Sequence, residues 1–152
     1  MTDRAIAPVL ATASLLAITV VLGSTVALLA IGAPADPTPT ASISVGADAA
    51  DDRIVLEHHG GDVLDVSEIR LRVTVDGTPL DEQPPVPFFA ADGFRGGPTG
   101  PFNPKGGTTW SAGDAAAFRV ASTNAPGIDD GDRVRVEVYA NGGLVGSATA
   151  TA

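Results

Sequence analysis

Apolar residues follow two rhythms along this chain. From residue 5 to residue 35 there is no Asp, Glu, Lys, Arg or His, and apolar positions run on without a polar stripe. Beyond residue 42 apolar and polar positions alternate. The first rhythm predicts a helix that is apolar on every side. The second predicts half-buried strands.

The helix is expected over residues 6–32, longer than the about 20 apolar residues that cross a bilayer core. Pro8 is expected in the first turn, where a missing N–H costs little. Thr12, Ser14, Thr19, Ser24 and Thr25 can bond to carbonyls one turn back. Gly32, Pro34 and Pro37 end the run. Small residues recur at four-residue spacing as Ala7/Ala11, Ala13/Ala17 and Gly23/Ala27, which lets helices approach closely. Residues 33–42 form a Pro-rich connector, expected to be extended.

In "EIRLRVTV", Ile69, Leu71, Val73 and Val75 share one face, with Arg70, Arg72 and Thr74 on the other. "RVRVEVYA" repeats the pattern, with Val134, Val136 and Val138 inward. Shorter candidates are residues 42–46, 53–58, 116–122 and 144–151. Asn141-Gly142 marks a tight hairpin, unless Gly143 lengthens the loop. These strands predict an antiparallel β-sandwich over residues 43–152. The expected class is therefore α+β: a long N-terminal transmembrane or filament-core helix, then the sandwich.

Charge narrows the function. Net charge is −9, and Lys105 is the one lysine. That argues against nucleic acid as a partner, since phosphate binding needs clustered cations. There is no Cys, so disulfides, thiolate nucleophiles and zinc–thiolate sites are excluded.

Three readings of the N-terminus compete. A secretory signal could end at Ala33-Pro34-Ala35, but the apolar run exceeds the about 7–15 residues of a signal core. A permanent anchor would hold an outside domain, with Arg4 inside. A short leader could instead be removed by a prepilin-type peptidase.

The opening "DRAIAPVLATASLLAITVVLGSTVALLAIG" resembles the N-terminal segment of archaeal type IV pilins, those of haloarchaea especially. Arg4-Ala5 matches the cleavage junction, Pro8 the early proline, and residues 17–22 ("AITVVL") the helix centre. Residues 11–17 read "ATASLLA" where the family usually shows Gly and Met. His58-His59-Gly60-Gly61-Asp62 and Trp110-Ser111-Ala112-Gly113-Asp114 are similar to turns of haloarchaeal pilin-like proteins.

The resemblance implies a leader of residues 1–5 cut between Ala5 and Ile6. It implies a helix held in the membrane, then packed with copies of itself in a surface pilus. Its partners would be other pilin subunits, the membrane, the prepilin peptidase and the pilus assembly machinery. The protein would be single-pass with its C-terminal domain outside, then part of a cell-surface filament serving adhesion. The alternative is a monomeric membrane-anchored ectodomain that binds a ligand.

Catalytic chemistry is not signalled, and neither cofactor nor enzyme activity is expected. His58 and His59 are adjacent, so on a strand they face opposite ways and cannot share a metal well. One is expected to cap a turn and the other to be exposed. Asp129-Asp130-Gly131-Asp132 lacks the spacing of a Ca²⁺ loop and reads as a solvated turn. Ser67 lacks a nucleophile-elbow context. Residues 81–113 are rich in Pro and Gly, yet hold Phe88, Phe89, Phe94, Phe102 and Trp110. Two roles are open for these aromatics: plugging the end of the sandwich, or contacting a neighbouring subunit or adhesion target.

Overall fold

The computed structural model describes residues 3–30 and 37–152, with helix side chains described for residues 8–24 and Val26. The chain divides into two compact units, Met1–Ala35 and Asp36–Ala152.

The first unit holds helix α1, Asp3–Ala30. It begins before residue 6, so Pro8 lies inside it rather than in its first turn. Hydroxyls of Thr12, Thr19 and Ser24 donate to carbonyls three or four residues back, at 2.7–3.1 Å. Val9, Leu10, Leu15, Leu16, Ile18, Val20 and Val26 are 59–71% exposed. Leu15, Leu16 and Ile18 stand about 100° and 200° apart around the axis, so the apolar surface is not confined to one stripe.

The second unit is built from ten strands: β1 (Ala41–Asp48), β2 (Arg53–Gly61), β3 (Leu64–Asp65), β4 (Ile69–Val75), β5 (Thr78–Pro79), β6 (Phe94–Thr99), β7 (Thr109–Trp110), β8 (Ala115–Val120), β9 (Arg133–Ala140) and β10 (Gly143–Thr151). Two four-stranded sheets, in the orders β1-β2-β8-β6 and β10-β9-β4-β5, share one hydrophobic core; β3 and β7 pair separately. Every pairing is antiparallel. In β4 and β9 the alternation works as predicted: Leu71, Val73, Val134, Val136 and Val138 are buried while Arg70, Arg72 and Arg135 face water. The β9–β10 turn is tight, with Asn141 and Gly142 at φ 52° and 78° and Gly143 already paired to Ala140.

The expected α+β class with a long transmembrane or filament-core helix is corrected. Among the described residues no helix is long and apolar enough to cross a membrane. Strand makes up 44% of the structure, and the fold is β-rich. This finding does not favour a single-pass anchor.

The connector splits at the same place. Residues 31–36, including Gly32 and the Ala33-Pro34-Ala35 site, lie outside the described residues, as do residues 1–2 of the leader. The later part is tied to the β unit. Thr40 N–H donates to Asp62 Oδ2 at 2.9 Å, Asp62 N–H returns a bond to Thr40 O at 2.8 Å, and Asn141 Nδ2 donates to Pro37 O. Ala41 and Ser42 already belong to β1, opposite Gly61 and Gly60.

Gly61 makes this closure possible. Its φ is 103°, and a Cβ there would run into the Thr40 carbonyl. Gly61→Ala should therefore lower the stability of the β unit by about 2 kcal/mol or more. A thermal melt checks this, with Gly60→Ala as control because a Cβ there meets open space.

Candidate functional site

The aromatic segment folds inward. Phe88, Phe94, Phe102 and Trp110 are buried, and Phe89 alone of the five stays at the surface, 59% exposed. Rings run in contact from Phe88 to Phe94, Phe118, Phe102 and Trp110 and on to His58, with centroids 5.2–6.3 Å apart. Several are tilted or edge-to-face, the arrangement that aromatic quadrupoles favour. What looked like one long loop contains β6, whose Phe94 pairs with Val120 of β8. Two 3₁₀ turns follow, Gly100–Phe102 and Pro104–Gly106. Phe88 N–H donates to Phe102 O at 3.0 Å, which ties the two stretches of backbone together. Of the proposed contact residues only Phe89 remains available, with Lys105 Nζ 5.3 Å above its ring.

The two turns singled out in the sequence form one unit. His58 N–H donates to Asp114 O at 3.0 Å, and Gly113 N–H donates to His58 O at 2.7 Å. Trp110 Nε1–H donates to the same Asp114 carbonyl at 3.2 Å. The His58 and Trp110 rings meet edge-on at 5.6 Å. His58 is buried and its ring reaches the backbone of the turn at Asp62. Its Nε2 faces Asp62 O at 3.1 Å, a geometry in which Nε2 carries the hydrogen, and buried Nδ1 has no partner among the described residues. His59 points the other way: its side chain is 53% exposed, and it meets Ser44 Oγ at 2.7 Å. The pair is split as the strand geometry requires.

The remaining candidates are structural turns. Ser67 N–H and Oγ–H both donate to Asp65 Oδ1, at 2.9 and 2.5 Å. Those bonds, the hydroxyl's first, hold the Asp65 carboxyl below its usual value. Asp132 Oδ2 accepts from Asp129 N–H at 2.8 Å, and Gly131 N–H donates to Ala152 O. Among the described residues no group of His, Asp or Glu is placed to hold a metal ion.

In α1, the backbone of Arg4, Ala5 and Ile6 is helical, and their side chains, with those of Ala7 and Ala27, lie outside the described residues. Ala11, Ala13 and Ala17 are exposed, and Gly23 has open space where a Cβ would stand. The helix surface at these positions is both apolar and shallow.

No family model and no curated protein matches this chain. The functional reading rests on its own residues.

Proposed function

We propose that this chain is a pilin-like structural subunit that assembles through α1 into a surface filament. A prepilin-type peptidase would remove residues 1–5, and the β unit would meet solvent and surfaces to be adhered to. One observation carries the reading: apolar side chains of α1 are more than half exposed around the helix. Such a surface is costly in water, about 25 cal/mol per Å², so it needs a cover. A helix that is apolar all round is a buried helix. The described residues do not favour a bilayer as that cover, whereas copies of the same helix meet its apolar surface equally well. Alanines at four-residue spacing let such copies come close.

The β unit supports a structural rather than a chemical role. Its polar side chains cap turns and tie strands, and its two histidines serve separate local contacts. The pilin-like opening supplies the processing step.

Mass spectrometry of the mature N-terminus tests the reading. The expected result is a chain beginning at Ile6, recovered from sheared surface filaments. A chain beginning at Met1 or Thr2 and absent from filaments overturns it, and so does one beginning at Asp36.

A further inference from the structure

Arginines stand on both four-stranded sheets of the β unit: Arg53, Arg95 and Arg119 on one, four on the other. Four of the nine Lys and Arg residues of this acidic chain sit on the outer face of one sheet: Arg70 and Arg72 on β4, Arg133 and Arg135 on β9. Alternation puts members of each pair about 6.8 Å apart along their strand. Leu71 and Val134, the residues between them, point into the core, so each arginine must point out. Arg135 pairs with Glu137 at 3.0 Å, whereas Arg70, Arg72 and Arg133 form no ion pair among the described residues.

The carboxylates facing this surface are few. Glu137 lies across from Arg72 and is held by Arg135 and by the Tyr139 hydroxyl at 2.9 Å. Glu68 precedes β4, and Asp76, which follows it, accepts the Arg133 N–H at 2.9 Å. The opposite sheet differs: Arg95 and Arg119 there are engaged by Asp52 and Asp51.

Two open grooves run along the arginine face. One, of about 770 Å³, is lined by Arg70, Arg72 and Tyr139; the other, of about 740 Å³, by Arg133, Arg135, Thr149 and Thr151. Thr149 stands directly across from Arg135, and Thr151 across from Arg133. The surface thus sets guanidinium groups beside hydroxyls and one aromatic ring, with Glu68 in the lining of the first groove and Asp76 in that of the second.

We infer that this sheet face binds an anionic polysaccharide. Guanidinium forks match carboxylate or sulfate oxygens in two-point contact. Threonine hydroxyls can exchange hydrogen bonds with sugar hydroxyls. Open grooves suit a repeating chain better than a small enclosed anion. Several weak, spaced contacts on one polymer add up through effective concentration. This inference does not depend on whether the chain polymerises.

Equilibrium binding of the full chain, in neutral detergent, to polygalacturonate tests it, with uncharged dextran and polyglutamate alongside. Saturable binding to polygalacturonate is expected, weakening as salt rises, with none to dextran. R70Q/R72Q should weaken binding at least tenfold, and R70K/R72K should retain more of it than the glutamine pair. R53Q/R119Q, on the opposite sheet, should leave it unchanged. Thermal melts of each variant confirm that fold is kept. Absence of saturable binding overturns the inference, as does an equal loss in R53Q/R119Q. Equal or tighter binding to polyglutamate overturns it too, in favour of an acidic protein partner.

Discussion

Trp110→Ala should lower the stability of the β unit by about 3–5 kcal/mol, the largest loss expected from any single truncation in this chain. The indole is fully buried. It touches Phe102 at 5.2 Å and His58 at 5.6 Å, and bonds to Asp114 O. Removing it opens a cavity and also strands the edge of the His58 ring, whose Nδ1 has no hydrogen-bond partner among the described residues. For a unit of this size the loss corresponds to a fall in Tm of roughly 15 °C or more. Phe89→Ala is the contrast. That ring is exposed, with Lys105 Nζ over it, so its loss should cost no more than about 1 kcal/mol. Thermal melts of the two variants decide the matter. Similar Tm values for both would contradict the inward placement of the aromatic segment.

The second large effect belongs to α1. Leu16→Glu with Val20→Glu should abolish assembly while leaving the Tm of the β unit unchanged. In a bundle of copies each carboxylate would lose its water without gaining a partner, at a cost of several kcal/mol per buried charge. Every copy repeats the penalty, so no register of the bundle escapes it. Sedimentation of wild type and variant reads the result directly. Assembly that persists in the double variant removes α1 from the interface.

Legibility of the sequence differed by element. In β4 and β9 one face meets water, so alternation of Val with Arg shows which side is buried. In β6 the run Gly96-Gly97-Pro98 hides the alternation, and the register itself shifts between Arg95 and Thr99. Composition there looks like a loop, while Phe94 is held by a ladder to a strand over twenty positions away. Strands β3 and β7 are two residues each, too short for any period to appear. The meeting of His58 with Trp110 depends on the registers of several strands, which no local pattern encodes. Tight turns fared better: Asn141-Gly142 carries its positive φ values in its own residue types.

The helix illustrates the opposite problem. Its apolarity is plain in the sequence, but uniform apolarity is equally suited to lipid and to a bundle of like helices. The expectation of a membrane-crossing span came from the length of the run and its apolarity on every side, and among the described residues no helix is long and apolar enough to cross a membrane. Exposure of Val9, Leu16 and Val20 points instead to the question of what covers them.

Electron microscopy of purified full-length chain, after removal of residues 1–5 and withdrawal of detergent, addresses that question most directly. The account predicts filaments whose cores are formed by α1 and whose surfaces carry β units. A population of separate chains, or filaments that form equally well without α1, would contradict it.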